Sequence, residues 1–399
     1  MDYKVVKYSE IGKIRSGKRL PKGYTVSEEI SDNKYIRVRD INNGSIDSSI
    51  VQYISDEAAE KLERYRVKTR DVIISVVGTV GAIAQIEESL NGAYLTENCD
   101  NLQVDESICL KDYLKYYLLS EDGSKEIIAN TVGSTQLKLP IYGIENFNIK
   151  LPSIDNQKRI VRLLNSIDDK IKINNQINNN LEEQLKLFFE DNILKKLNDE
   201  NTYECSLYDQ FDVIDNRGKT PPLVEHSKYP IIDVKVLSGS ERVINYNNCL
   251  KYVDKETYDT FFRSGHPKLY DTLLSTVGSL AELKIYLENI GTIAQNVVAL
   301  RPKNDYPLFM YQYILSLRQR LTSYDIGSVQ PSIKVTQFMK EIIKMPNDKE
   351  EIYKFENIAK ANTLKMRNLM MENRYLEQLR DTLLPKLMNG EIDLDNIEI

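Results

Sequence analysis

The chain is written twice, and that duplication limits its possible folds more than any compositional figure does. Residues 131–189 align without a gap on 325–383, at an offset of 194. Thr131-Val-Gly-Ser-Thr-Gln136 lies over Asp325-Ile-Gly-Ser-Val-Gln330, and Ile149-Lys-Leu-Pro152 over Ile343-Lys-Met-Pro346. Further on, Glu183-Gln-Leu185 lies over Glu377-Gln-Leu379. Upstream the offset drifts, yet Asp71-Val-Ile-Ile-Ser-Val-Val-Gly78 still matches Asp271-Thr-Leu-Leu-Ser-Thr-Val-Gly278, and Gly17-Lys18 matches Gly218-Lys219. Self-similarity over this length means two copies of one structural unit, each large enough for its own core.

Each copy begins as short strands and turns and ends as a long helix. Residues 35–41 alternate with period two, and Val72-Ile-Ile-Ser-Val-Val77 is a buried-strand run ending at Gly78. Residues 110–119 and 306–317 have helical character. After Pro152 the apolar spacing becomes heptad-like: Ile160, Leu164, Ile167, Ile171, Leu181, Leu185 and Phe188 step by threes and fours, with Asn174 and Asn178 at two intervening positions. In the second copy Phe355, Ile358, Leu369, Leu376, Leu379 and Leu383 carry the seam, interrupted by Asn362, Lys365 and Glu372. Two such seams can pair into one antiparallel coiled coil; each helix packing only on its own domain satisfies the same period. The expected architecture is two similar mixed α/β domains (1–150 and 199–346), joined by helices at 151–198 and 347–390 with pseudo-two-fold repetition and a tail at 391–399. Superposition of the two domains by a rotation near 180° follows from that reading.

Composition excludes several classes. No run approaches 18 apolar residues, so no membrane span is expected, and the N-terminal Met1-Asp2-Tyr3-Lys4 has no signal-peptide core. The four cysteines are scattered without a CxxC pair and only two histidines accompany them, so no metal site is expected and reduced cytoplasmic thiols fit. The net charge of −6 argues against a uniformly basic nucleic-acid binder, but residues 1–86 hold 15 Lys/Arg against 12 Asp/Glu. The runs 13–19 and 64–70 concentrate them locally.

Catalytic patterns fail on inspection. Gly12–Arg19 approaches a P-loop, but Arg19 replaces the hydroxyl that holds Mg²⁺; Arg217-Gly-Lys-Thr220 has the ending, with Val213 where the first glycine belongs. Asp271 with Glu282-Leu-Lys284 has the spacing of a metal nuclease, yet the first copy shows Ala82-Ile-Ala84 there, and a solvated strand edge is the simpler account. The lone Pro-Pro pair, Thr220-Pro-Pro-Leu223, lacks the flanking residues of an adenine methyltransferase, and no nucleophile dyad occurs.

The order domain, helix, domain, helix resembles the specificity subunit of type I restriction-modification systems. The likeness is carried by Leu379-Arg-Asp-Thr-Leu-Leu-Pro-Lys-Leu-Met-Asn-Gly-Glu-Ile392 and by Leu151-Pro-Ser-Ile-Asp-Asn-Gln-Lys-Arg-Ile160 with Ile167-Asp-Asp-Lys-Ile171. The turns Gly133-Ser-x-Gln136 and Gly327-Ser-x-Gln330 also resemble the family's. Residues 347–361 depart most from the pattern. The resemblance implies a non-catalytic reader of bipartite double-stranded DNA, with each domain on one half-site. It also implies two modification subunits and two restriction subunits as partners; S-adenosylmethionine, ATP and Mg²⁺ would belong to them, and no cofactor to this chain. A helix of about 40 residues is a strut of roughly 60 Å, on the order of 18 bp of duplex at ~3.4 Å each. The alternative is a duplicated coiled-coil adaptor that binds only proteins.

If the halves read different sequences, scaffold should be shared and readers should differ. Ser75/Ser275, Gly78/Gly278 and Gln136/Gln330 are expected as scaffold, and Gly17-Lys18 and Gly218-Lys219 as phosphate-binding turns. Arg15, Arg19, Lys22, Arg37 and Arg39 are the reader candidates of the first half. Arg217, Lys219, Lys235, Arg263 and Lys268 are those of the second.

Overall fold

The computed structural model describes residues 2–42, 44–48, 50–198, 201–325, 327 and 331–392. They form two compact units, Met1–Asp169 with Glu377–Ile399, and Lys170–Leu376. In the first, the β-branched run Val72–Ser75 is buried on both faces and forms an inner strand of an antiparallel sheet, as a continuous apolar run should. The sheet order is Gly12–Ser16, Cys99–Val104, Val72–Ser75, Ile83–Gln85. A smaller sheet places Lys34–Ile36 between Gln52–Tyr53 and Tyr94–Leu95, the last pair parallel. Lys4–Lys7 pairs with Asn148–Leu151. Residues 35–41 do not form one strand: Asp40 Oδ2 accepts the Arg37 N–H at 2.8 Å and folds Val38–Asp40 into a 3-10 turn.

The second unit repeats these three sheets, but among the described residues it has no counterpart of the first unit's two-stranded Ile41–Asn42/Ser45–Ile46 ladder. Its sheet runs Phe211–Asp215, Val297–Pro302, Thr272–Ser275, Leu283–Ile285. Tyr229–Ile232 lies between Tyr252–Val253 and Thr292–Ile293, again with one parallel pair. Thr202–Ser206 pairs with Ile342–Pro346. Small fittings repeat as well. Tyr113 and Tyr313 each donate a 2.7 Å bond from their hydroxyls, to the carbonyls of Lys150 and Lys344.

The helices Ile154–Asn192 and Lys349–Met388 run antiparallel within each unit. In the first, Ile160 and Leu164 share a core with Leu384, Leu387 and Met388. In the second, Leu185 and Phe189 share one with Phe355 and Met366, and the Phe189 and Phe355 rings meet edge-on at 5.1 Å. Along the first helix Ile160, Leu164, Ile167, Asn174, Asn178 and Leu185 are buried, with Ile171 and Leu181 half-buried.

The second helix differs from expectation. Leu369 is buried and Leu376 and Leu383 are half-buried, but Leu379 is 47% exposed and Ile358 also faces out. The buried register is Ile352, Phe355, Ala359, Thr363, Met366, Asn373, Leu384 and Leu387. The cause is one extra residue between the last strand and the helix. The strands align at an offset of 194, whereas the helices begin at Ile154 and Lys349, an offset of 195. Counting without that gap puts Leu379 in the seam, where the chain places Arg380, bonded to Asp168 at 3.2 Å.

Polar side chains tie each domain to its helices. Gln157, buried, accepts the Leu110 N–H at 3.0 Å and donates to the carbonyl of Ile108. In the second unit Glu356 does the corresponding work, accepting the Phe309 N–H at 2.8 Å in the first turn of Pro307–Ser316. Burial raises the Glu356 carboxyl to about 7, against the backbone bonds and Lys360, which lower it. Asp168 accepts from Tyr116 at 2.6 Å and Lys115 at 3.4 Å. The fully buried Arg242 forks onto Glu182 at 2.6 and 2.7 Å and donates to Gln312 at 2.8 Å.

Two tests follow from these contacts. Asn174 Nδ2 donates to Asn373 Oδ1 and Glu372 Oε2, each at 2.8 Å. Asn174→Leu alone strands a buried amide and should cost about 1–3 kcal/mol. Adding Asn373→Leu should recover that loss or exceed it while loosening helix register; a melting temperature for the pair below that of the single variant would refute this. The carboxyl of Glu356 holds its proton to higher pH in the folded chain than in the unfolded one. Its contribution is therefore present at pH 4–5 and lost as pH rises through about 7. Glu356→Gln should melt close to the parent at pH 5 and above it at pH 8.

Candidate nucleic-acid interface

In each unit several turns meet at one end of the four-stranded sheet, and Lys18 in the first unit and Lys219 in the second follow strands that end there. Ser16 pairs with Asp100 and Ser75 with Cys99, so the turns after Ser16 and Ser75 and before Cys99 share that end. The hairpin 132–138 joins them, because Leu139 donates to the carbonyl of Val76 at 2.9 Å and Lys138 bridges Val77. In the second unit Asp215 pairs with Val298 and Ser275 with Val297. Gly278 there donates to the carbonyl of Pro331 at 3.0 Å. The shared turns are built alike. Ser75 and Ser275 donate to the carbonyls of Thr79 and Ser279 and accept the N–H of Ala82 and Glu282, while Gly78 and Gly278 take φ of 85° and 90°.

The basic candidates sort by what their side chains already hold. Arg15, Lys18, Lys22, Lys219, Lys235 and Arg263 are exposed and make no ion pair among the described residues. Arg19, 82% exposed, bonds Glu97 at 2.6 Å, Arg217 bonds Asp215 at 2.7 Å, and Arg39 stands 3.9 Å from Asp40. Arg37 is a correction. Its guanidinium is spent inside the domain on Asp40 at 2.9 and 3.2 Å, on the carbonyl of Ile50 at 2.9 Å and on Gln52, so it is not free to fork onto a base. Lys268 is another. Its N–H caps Asp271 at 2.8 Å, at the start of strand Thr272–Ser275, whereas Gly278 follows the strand's other end, about 10 Å away.

Gly17-Lys18 is not a phosphate cradle. The Gly17 N–H donates to Cys99 and the Lys18 N–H to Leu95, at 2.9 and 2.8 Å, which leaves neither for an anion. Glycine is required at 17 because a Cβ would stand 2.0 Å from the Thr96 carbonyl oxygen. Gly218 is exposed at φ 140° with open space around it, and the two turns are not equivalent. Gln136 is exposed, with no hydrogen-bond partner among the described residues, so it is not scaffold. Gln330 lies outside the described residues.

The Asp271, Glu282, Lys284 triad is neither a metal site nor a solvated edge. Asp271 is buried against Arg301 at 2.8 Å, Glu282 bonds Arg318 at 2.7 Å, and buried Lys284 meets Glu241 at 3.1 Å. Each charge is satisfied separately.

Sequence reasoning missed Asn216. Its Oδ1 accepts the Ser264 N–H at 3.0 Å and its Nδ2 donates to the Gly265 carbonyl at 2.9 Å. The loop carrying Arg263 is thereby fixed to the loop carrying Arg217 and Lys219. An asparagine just past a strand was the available signal. Arg242 was missed for a different reason: its partner Glu182 is sixty positions away in sequence.

Residues 1–183 match the family described as the type I restriction modification DNA specificity domain. The chain is 26% identical over 136 residues to the type I restriction enzyme EcoBI specificity subunit of Escherichia coli, a match covering 34% of this chain and 28% of that protein. It is 22% identical to the HindI specificity subunit of Haemophilus influenzae, over 92% of this chain and 97% of that one. Its fold matches the type I restriction-modification S subunit from M. genitalium with a TM-score of 0.59 at 16% identity, covering 97% and 96% of the two chains. These likenesses favour the specificity-subunit reading over a protein-only adaptor. No helix among the described residues is long and apolar enough to cross a membrane.

The sorting of cations predicts a split in stability. Arg37→Ala strands the buried Asp40 carboxylate and should cost about 3 kcal/mol, toward the lower end of breaking a buried pair. Arg15→Ala and Lys18→Ala should each stay within about 0.5 kcal/mol of the parent. Equal melting temperatures for all three variants would overturn the assignment.

Proposed function

Because residues 1–183 match the type I restriction modification DNA specificity domain and the chain's fold resembles that of a specificity subunit, we propose that it reads a bipartite target in double-stranded DNA without catalysing any step itself. The observation that carries this is the repeated sheet end. Both units place exposed cations there that have no ion pair among the described residues, on segments of unlike sequence, over shared turns at Ser75/Gly78 and Ser275/Gly278. Shared turns hold the loops, and unlike loops suit two different half-sites. Phosphates would be met by Lys18, Lys22 and Lys219, and the forks of Arg15 and Arg263, without an ion pair among the described residues, match guanine O6/N7.

In this reading the two long helices set the spacer between half-sites. Two modification subunits dock on the assembly, and two restriction subunits join them. Methyl transfer from S-adenosylmethionine and ATP- and Mg²⁺-dependent cleavage belong to those partners, in the cytoplasm where the host DNA lies.

Replacing residues 1–150 with the corresponding domain of a relative should change one half of the methylated motif and leave the other half and the spacer intact. Sequencing of methylated adenines in cells carrying the chimera reads this directly. A motif altered in both halves, or methyl transfer by the purified chain alone, would sink the proposal.

A further inference from the structure

We propose that the tip of the hairpin 132–138 touches the sugar–phosphate backbone of DNA, as a contact common to both halves that carries no sequence information; this rests on the DNA-reading function above. The argument begins from what the two copies share. Gly133, Ser134 and Gln136 recur as Gly327, Ser328 and Gln330, while Thr135 and Leu137 are replaced by Val329 and Pro331. The fold explains only the glycine. Gly133 sits at φ 103°, and a Cβ there would stand 2.3 Å from the Gln136 carbonyl oxygen. Ser134 and Gln136 are exposed, and neither side chain has a partner among the described residues. They have no packing or bonding role among the described residues, yet the same residue types recur in the second copy, so they face something outside the chain that is the same for both.

A base is not the same for two different half-sites, whereas the DNA backbone is. Hydroxyl and amide side chains are ordinary phosphate and sugar partners. The hairpin is stiff enough to aim them: Val132 and Lys138 exchange two 2.8 Å backbone bonds, and Leu139 anchors the hairpin to Val76. It stands at the sheet end where the strand before Lys18 stops, and Lys138 beside it is exposed with no ion pair among the described residues. A modification subunit, the other partner that would recur, has no such cationic setting to explain.

The test uses the full chain assembled with its modification subunits, comparing the parent with Ser134→Ala/Gln136→Ala. Binding is measured on the cognate duplex, on one with the first half-site scrambled, and on one with both scrambled. The variant should bind all three about three- to tenfold more weakly, by one common factor, as expected for losing one or two hydrogen bonds. Its melting temperature, its assembly with modification subunits and the methylated motif should not change. A loss confined to the duplexes that retain the first half-site would make the hairpin a base reader. Loss of assembly in the absence of DNA would make it a protein-docking element, and unchanged affinity would leave it with no DNA contact; each of these overturns the proposal. Failure of the parent complex to bind any duplex would instead remove the function on which the proposal rests.

Discussion

Neither copy of the repeat completes its own core. The first unit takes Leu384, Leu387 and Met388 from the helix that ends the second copy, and the second unit takes Leu185 and Phe189 from the helix that ends the first. Each such side chain is worth about 1.5–3 kcal/mol when fully buried, so each exchanged segment supplies a large share of a marginal net stability. The Tyr3 hydroxyl donating to the carbonyl of Leu387 at 2.6 Å shows how far the chain reaches to close. Closing a loop of that length costs chain entropy that such contacts must offset. The antiparallel pairing of the helices within each unit is therefore a condition for having two domains at all.

The same mechanical job is done by different chemistry in the two copies. Gln157 caps the start of one domain helix as a neutral amide, and Glu356 caps the other as an acid raised to about 7. Asp168 gathers Tyr116, Lys115 and Arg380 in the first unit; burial lowers the lysine ammonium against the pull of that carboxylate. In the second unit the buried cation is Arg242, held by Glu182 and Gln312. A buried ion pair gives little net stability, but it is costly to break on one side, and so it fixes how a domain sits on its helices. Such pairs suit a reader, whose loops are useful only in a set orientation.

The mixed fold, the duplication and the first helical seam were legible because each rests on a period repeated many times. In the second helix Ile358 and Leu379 lie one residue off the seam, because an insertion between Pro346 and Lys349 is invisible to a gap-free alignment, whereas Phe355, Leu369, Leu376 and Leu383 are buried or half-buried. The polar seam positions Asn373 and Arg380 then gave no apolar signal to correct it. Residue roles within the loops were less legible. Arg37 looked like Arg15 in sequence, and only the fold brings Asp40, Gln52 and Ile50 around one of them. The Asp271 triad looked like surface because its partners Arg301, Arg318 and Glu241 are distant or lie outside the motif.

The same asymmetry explains how an acidic chain can present a basic reading face. The net charge of −6 counts every ionised group equally, but many acids are consumed inside the fold. Asp40, Asp71 and Asp271 are buried, and Asp112 and Asp168 are paired with Arg70 and Arg380. Several cations are in the opposite condition, since Arg15, Lys18, Lys22, Lys219 and Arg263 stand exposed and unpaired among the described residues. At physiological salt, fields between exposed charges fade over about 8 Å. A duplex lying against one sheet end would therefore respond to cations there more than to acids elsewhere on the chain. Net charge governs how the free protein behaves in solution; the distribution of unpaired charge governs where a polyanion can settle.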